Sequence, residues 1–107
     1  MVLDYSDQDI FRMASRICMH HHEWWDGTGY PDRLKSGDIP LEARIMSLSD
    51  VYDALLSKRV YKAEWSHEEV CEELQRCAGT QFDPMIVEVM LANIKEFEKI
   101  RNKYKDQ

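Results

Sequence analysis

The chain has 107 residues, of which 44% are hydrophobic and 32% are charged, and its formal net charge is −6 at pH 7. This length permits one domain with a single modest core, and the composition is typical of a globular protein rather than a disordered one. The acidic balance argues against a general affinity for nucleic-acid polymers or anionic membranes. A nucleotide at a metal site is still permitted, because a bound cation reverses the local field.

The three cysteines, Cys18, Cys71 and Cys77, are an odd number and form no C-x-x-C pair. This pattern fits reduced thiols in a cytosolic protein better than a disulfide framework. There is no signal-peptide pattern and no apolar run long enough to span a bilayer. We therefore expect a cytoplasmic protein with no membrane association.

The first predicted helix covers residues 7–22, with Ser6 or Asp7 as its N-cap. Mostly apolar side chains recur on one stripe that ends at a histidine: Ile10, Met13, Ala14, Ile17, Cys18 and His21. The stripe places His21 on the buried face and leaves His22 one position round. Because successive helical residues are about 100° apart, either the helix ends near these histidines or only one of them binds a shared ion.

Three histidines and a glutamate, His20 to Glu23, lead directly into the sequence WWDGTGYP. Neutral imidazole nitrogens and ionised carboxylates are common protein ligands of divalent metals, so this stretch predicts a metal site. A polar helix end that enters a loop, with no bound ion, is the alternative interpretation of the same residues.

Residues 23–40 are predicted to form one long polar loop, which we call the 23–40 loop. Loops longer than about 12–15 residues are usually functional or disordered. Trp24, Trp25 and Tyr30 favour order, because aromatic side chains can pack the loop on the body or present a surface to a base or a partner protein. For the two tryptophans we favour packing, since large aromatics are highly buried on average.

Pro40 suits a helix start, and the second helix is predicted from Leu41 to Ser57. Its apolar positions follow helical spacing: Ala43, Met46, Leu48, Val51, Tyr52, Leu55 and Leu56. Asp50 interrupts them, and a buried aspartate would cost several kcal/mol unless it were paired or bound a metal. Asp53 is the solvated alternative, and Asp50 itself is solvated if the helical phase shifts by one residue.

The pattern Ser66-x-x-Glu69 is a capping box that predicts a third helix, 67–78, ended by Gly79. His67 lies in its first turn and is predicted to be a surface residue.

Asp83 followed by Pro84 is an N-cap and first-turn pair, and it predicts a last helix over 84–103. The segment from about 95 to 107 is its charged end. No segment has the period of a strand, so the sequence predicts an all-α helical bundle with four principal helices in a single domain, 1–107.

The order of these residues resembles the signature of the HD-GYP domains, a family of bacterial metal-dependent phosphohydrolases in signal transduction. The likeness is strongest in His21-His22-Glu23-x-x-Asp26-Gly27-x-Gly29-Tyr30-Pro31. It continues without a gap through Leu34, Ile39-Pro40, Ala43-Arg44-Ile45, Asp50-x-x-Asp53-Ala54-Leu55, Arg59-x-Tyr61 and Gly79-x-x-Phe82-Asp83-Pro84. So many matches in register cover about residues 10–91.

The resemblance implies part of an HD-domain-like fold that holds two or three divalent ions, commonly iron or manganese. In that family the ions activate a hydroxide that attacks a phosphodiester, usually in cyclic di-GMP. By motif, His21 and His22 match the paired histidine ligands, and Asp50 matches the ligand aspartate.

The resemblance also implies roles for residues outside the metal ligands. A loop that shapes the substrate site and meets partner domains is matched by Asp26, Gly27, Gly29, Tyr30 and Pro31. A region near the substrate phosphates is matched by Arg59 and Tyr61.

The sequence departs from the family in having no His-Asp dipeptide and no histidine before His20. Arg33 and Ser36 replace expected glycines, and Val60 replaces a proline. Three candidate ligands cannot build a two-metal site, which needs roughly six to eight ligand positions. We therefore expect the C-terminal portion of an HD-GYP-like domain, with no complete catalytic set and with weak or absent metal binding by this chain alone.

Two functions follow from these expectations. The chain is either the C-terminal segment of a cyclic di-GMP phosphodiesterase, inactive alone, or a non-catalytic signalling module that uses the 23–40 loop as a docking surface. Without upstream helices, the apolar faces of residues 10–21 and 41–56 should be exposed. That exposure implies a partner, such as a missing N-terminal segment, or self-association, or a rearranged packing in which helix 10–21 lies against 41–56 and the 84–103 helix closes the arrangement.

Overall fold

The computed structural model describes residues 7–57 and 65–104, which form five α-helices and no strand beyond one isolated bridge between Ala78 and Phe82. The helices are α1 (Asp7–His20), α2 (Leu41–Leu56), α3 (His67–Arg76), α4 (Pro84–Ala92) and α5 (Ile94–Tyr104). One turn of 3-10 helix, Ser36–Asp38, lies in the 23–40 loop. The all-α prediction is confirmed.

The prediction of one long last helix is wrong, because α4 and α5 are separated at Asn93. The Asn93 side-chain amide donates to the Val89 carbonyl at 2.8 Å, and its backbone N–H donates to the Met90 carbonyl at 3.1 Å. Asparagine side chains compete with helical backbone bonds in this way, which favours a helix end. The carbonyl of Asn93 then accepts the Glu96 N–H at 3.0 Å and begins α5.

Both predicted helix starts near the C-terminal half are confirmed. Ser66 and Glu69 form a reciprocal capping box, in which the Glu69 N–H donates to Ser66 Oγ at 3.1 Å and the Ser66 N–H to Glu69 Oε1 at 2.9 Å. Asp83 accepts the Met85 N–H at 2.9 Å, and Pro84 occupies the first turn of α4. These caps satisfy amide donors that have no partner inside the helix.

The buried core joins α2, α3 and α4 and includes Phe82 from the turn before α4. Its side chains are Leu48, Tyr52, Leu55, Val70, Leu74, Phe82, Val87 and Met90. Helix α1 packs against α2 but contributes no buried residue, and Ile10 on its predicted stripe is 56% exposed. The stripe therefore faces α2 only in part.

His67 is half-buried, so its prediction as a surface residue is wrong. Its Nε2 lies 3.1 Å from the Tyr52 hydroxyl of α2 and 3.9 Å from a Glu98 carboxylate oxygen of α5. Through these two contacts His67 of α3 links α2 and α5. Burial, and then the Glu98 charge, raise the pKa of Tyr52.

Among the described residues, no helix combines the length and the apolar character needed to cross a bilayer.

Candidate metal centre

A cleft of about 100 Å³ lies between the end of α1, the middle of α2 and the turn before α4. Its lining residues are His21, His22, Trp24, Ser47, Asp50, Val51 and Gln81. The three metal ligands predicted from the sequence, His21, His22 and Asp50, therefore line one cleft. They come to it from two segments that are about 28 positions apart in the chain.

The tautomer of His21 is fixed by a hydrogen bond to the backbone. Helix α1 ends at His20, and His21 Nδ1 lies 2.7 Å from the Ile17 carbonyl oxygen. A carbonyl only accepts, so Nδ1 carries the proton and donates it, and the Nε2 lone pair stays available. Histidine ligands commonly hold their second nitrogen in this way, which fixes the ring for the ion.

His22 is held by ring contacts on two sides. Its centroid is 4.0 Å from that of His21, and its ring stacks on Tyr30 with centroids 5.0 Å apart and planes inclined by 18°. Tyr30 is 61% exposed, so the stack supports His22 while leaving much of the tyrosine at the surface. Helix α1 ends at His20, so His21 and His22 are not held about 100° apart on a regular helix and both can line the cleft.

Asp50 and Asp53 are both exposed, so α2 buries no carboxylate at either position. Asp50 lines the cleft, whereas Asp53 accepts a hydrogen bond from Arg101 of α5 at 3.2 Å. Asp50 is therefore solvated, which was one of the two predicted alternatives. Its charge has no desolvation cost that a metal would have to offset.

Glu23 organises the 23–40 loop, a role that its place in the His-Glu run does not indicate. Its side chain is buried, and its two carboxylate oxygens accept the backbone N–H groups of Asp32 and Leu34, each at 3.0 Å. His20 Nδ1 lies 3.2 Å from the same carboxylate. Burial opposes ionisation of Glu23, but the hydrogen bonds from Asp32, His20 and Leu34 outweigh it and lower the pKa.

His20, Glu23 and Asp32 form a second group of possible ligands beside the cleft. Within residues 7–57 and 65–104, this is the set of His, Cys, Asp and Glu side chains whose ligand atoms all lie within 4.8 Å of one another. His21, His22 and Asp50 line one cleft, but their ligand atoms do not all lie within 4.8 Å of one another. The Glu23 carboxylate already accepts two backbone N–H groups and contacts His20. These hydrogen bonds explain why the three side chains lie close together: they stabilise the loop.

Glycines and turns give the 23–40 loop its shape. Gly29 is buried, and a Cβ there would lie 2.3 Å from the Trp24 nitrogen and 2.5 Å from the His22 carbonyl oxygen. Gly27 has φ +88°, in the region that favours glycine. Asp26 accepts from the Thr28 N–H at 3.0 Å and from its hydroxyl at 2.6 Å. The predicted loop residues thus build the scaffold beside His22, and the Tyr30–Pro31 peptide is cis.

Arg44 ties this loop to the core. Its Nη1 donates to Asp83 at 2.7 Å, its Nε donates to the Ile39 carbonyl at 2.9 Å, and its guanidinium lies 5.9 Å from the Trp25 ring centroid. Trp25 is half-buried, whereas Trp24 is 38% exposed, so the packing expected of both tryptophans holds for Trp25 alone. Arg59, Val60 and Tyr61 lie outside the described residues.

A family model described as HD domain matches residues 6–86. The chain belongs to the HD domain family. It is 47% identical over 98 residues to a "Probable cyclic di-GMP phosphodiesterase" of Vibrio cholerae, and 35% identical over 106 residues to a "Cyclic di-GMP phosphodiesterase" of Thermotoga maritima. It is also 44% identical over 100 residues to a "3'3'-cGAMP-specific phosphodiesterase 2" of Vibrio cholerae.

A crystal structure of a cyclic GMP-AMP-specific phosphodiesterase from V. cholerae superposes with a TM-score of 0.71 at 28% identity, covering 92% of this chain and 21% of that one. The three sequence matches cover 92%, 99% and 94% of this chain. The chain spans only 22%, 29% and 19% of those relatives' own lengths.

Proposed function

We propose that this chain is a segment of an HD-GYP-type metal-dependent phosphohydrolase that acts on a cyclic dinucleotide, with cyclic di-GMP as the first candidate. The observation that carries the proposal is the cleft where His21, with its Nε2 left free by the Ile17 carbonyl, lies beside His22 and Asp50. Relatives named as phosphodiesterases of cyclic di-GMP and of cyclic GMP-AMP support the substrate class.

Each residue has a distinct part in this proposal. His21 and His22 supply imidazole nitrogens, and Asp50 supplies a carboxylate oxygen that balances the charge of the cation. A divalent ion such as iron or manganese, when bound there, would supply Lewis-acid activation of a phosphodiester and of water. Tyr30 orients His22 through the ring stack, and Glu23 keeps the 23–40 loop in place for both.

Hydrolysis requires more ligands than these three side chains, so we propose that the chain alone binds metal weakly and does not turn over substrate. A two-metal site needs roughly six to eight ligand positions. The additional groups would come from the remaining part of a longer protein of the kind that the relatives represent, or from a second copy. Affinity falls when ligands and their hydrogen-bonding support are incomplete.

Isothermal titration with Mn²⁺ tests this site. We expect micromolar or weaker binding by the chain, and a loss of about tenfold or more for His22→Ala and for Asp50→Asn. The matched controls are His67→Ala and Asp53→Asn, since neither residue lines the cleft and Asp53 is one turn further along α2; both should retain binding. Equal losses in all four variants, with circular dichroism confirming their fold, would contradict the site.

A phosphodiesterase assay tests the inactivity of the isolated chain. We expect no hydrolysis of cyclic di-GMP at protein concentrations where an intact family member turns over. Sub-micromolar metal retained through dialysis, together with turnover, would show that the missing ligands are supplied within the chain or between its copies.

A non-catalytic signalling module is the second candidate function, and the exposed part of the 23–40 loop favours it. Tyr30 is 61% exposed on a loop that Glu23 and Gly29 hold in one conformation, which is the form of a preorganised docking surface. A chain that binds neither Mn²⁺ nor cyclic di-GMP, but still folds, would favour this function over the first.

A groove between α2, α4 and α5 supports the proposal that another protein segment or a second copy covers this chain. Its volume is about 290 Å³, and its lining is almost wholly apolar: Ile45, Leu48, Ser49, Met85, Ile86, Val89, Met90 and Phe97. Met85 is 71% exposed and Val89 is 56% exposed. Contiguous apolar surface of this kind marks interaction sites.

A further inference from the structure

Gln81 lies in the same cleft as His21, His22 and Asp50, although the sequence resemblance assigns it no role as a metal ligand. The residue is half-buried. Its side-chain amide makes no hydrogen bond to any residue in the ranges 7–57 and 65–104. Gln81 therefore adds a residue with an amide side chain to the wall of the cleft.

The backbone of Gln81 is fixed on both sides. Its carbonyl accepts the Trp25 N–H at 3.1 Å, and its own N–H donates to the Cys77 carbonyl at 3.1 Å. The preceding carbonyl, of Thr80, accepts the Asp26 N–H at 2.9 Å, and the following side chain, Phe82, is buried in the core. The turn thus holds the backbone of Gln81 at one place relative to the 23–40 loop, which limits the positions that its side chain can reach in the cleft.

The size and the charge of the cleft select the group that Gln81 can bind. About 100 Å³ equals roughly three water molecules at ~30 Å³ each, which is room for a group of the size of a phosphate. Asp50 repels a phosphodiester unless a cation lies between them. A neutral amide can donate to a phosphate oxygen without adding repulsion.

We propose that the Gln81 side-chain N–H donates to a non-bridging phosphodiester oxygen of the cyclic dinucleotide and positions it beside His21, His22 and Asp50. This inference rests on the proposed function, since it assigns a substrate contact within the same site. Gln81 is a substrate-binding residue in this scheme and not a metal ligand. Its loss should therefore weaken nucleotide binding and spare metal binding.

The first test follows side-chain amide signals by ¹⁵N–¹H NMR while cyclic di-GMP is added to the intact chain in the presence of Mg²⁺. The Gln81 amide pair should shift in a saturable manner. Gln75, which is exposed on α3, is the matched internal control and should not shift. A Gln81 signal that stays unperturbed while His21 and His22 signals shift would overturn the contact.

The second test compares affinities by titration calorimetry. Gln81→Ala should weaken cyclic di-GMP binding by roughly 10–100-fold, as expected for loss of a hydrogen bond to a charged group, while the Mn²⁺ affinity stays within about twofold. Gln81→Glu, which keeps the shape and adds a negative charge, should weaken nucleotide binding further. Gln75→Ala should change neither affinity.

The outcomes separate this inference from the proposed function. Normal nucleotide binding by Gln81→Ala overturns the role of Gln81 and leaves the phosphohydrolase site standing. Equal losses of metal and nucleotide affinity would make Gln81 part of the metal site and would also overturn the inference. Wild-type chain that binds Mn²⁺ but no cyclic di-GMP overturns both the substrate proposal and the contact.

Discussion

The segment from His20 to Ile39 and the cluster formed by α2, α3 and α4 keep their shapes by different interactions. In the first, a buried carboxylate, a tightly packed glycine and the Arg44 guanidinium hold the backbone through hydrogen bonds. In the second, eight buried side chains, none more than 7% exposed, form one apolar core. The candidate metal ligands His21 and His22 belong to the first region, and Asp50 lies at its border with the second.

This difference separates the interactions that set the free energy of unfolding from those that set the geometry of the loop. Apolar burial is large and non-directional, so it should set the free energy of unfolding for the whole chain. Hydrogen bonds contribute less but are directional, so they should set the geometry of the loop beside the cleft. The two regions should therefore respond differently to substitution, with global effects in the core and local ones in the loop.

The largest effect is expected for Leu74→Ala in the core. Leu74 is 0% exposed, and truncation of such a leucine leaves a cavity that lowers the free energy of unfolding by about 2–5 kcal/mol. Ile10→Ala on α1, where the side chain is 56% exposed, should change it by only about 0.5 kcal/mol. Urea unfolding followed by circular dichroism measures both values.

Similar losses for these two variants would contradict the comparison. They would mean that α1 shares in the core, as it could if a second copy covered its exposed face.

A smaller and local effect is expected for Glu23→Gln. A glutamine has one acceptor oxygen, so its amide group would face either the Asp32 or the Leu34 N–H as a second donor. We expect a local cost of about 1–3 kcal/mol. Hydrogen exchange should speed up at Asp32 and Leu34 while Val70, in the core, keeps its protection.

Glu88→Gln, at an exposed position of α4, is the control for this substitution and should leave all three amides unchanged. Faster exchange at Val70 in the Glu23 variant would show that the loop and the core unfold together.

The smallest effect concerns the pH dependence of the α3 cap. Hydrogen bonds from the Ser66 backbone N–H and side chain hold the pKa of the Glu69 carboxyl below its usual range. Stability from a carboxyl with a lowered pKa is fully present above its pKa in the unfolded chain and is lost as the pH falls through its pKa in the folded one. Glu69→Gln keeps an acceptor for the capping box but removes the titration.

The stability advantage of the wild-type chain over Glu69→Gln should therefore shrink between neutral and acidic pH in urea titrations. Glu72→Gln, on the same helix outside the cap, should not reproduce that trend. A wild-type advantage that is constant across the whole range would show that the cap does not depend on the charge of Glu69.

The sequence determined the features that depend on near neighbours in the chain. The caps at Ser66 and Asp83 were predictable because each donor lies within three residues of its acceptor. The helical periods of α1, α2 and α3 were equally local, and the predicted ends differ by two residues or fewer. The histidine run could be proposed as a metal site because residue type alone limits which ions bind.

Tertiary structure decided the features whose partners are distant. The backbone donors to Glu23 lie 9 and 11 residues away, and Arg44 and Asp83 are 39 residues apart, so no local pattern identifies these pairs. His67 was misplaced for the same reason, since Tyr52 and Glu98 approach it from other helices. Gln81 enters the cleft only because the turn before α4 pairs with the backbone at Trp25 and Asp26. Contacts between segments arise from the packing of helices on a shared core, and a linear pattern of residue types does not specify that packing.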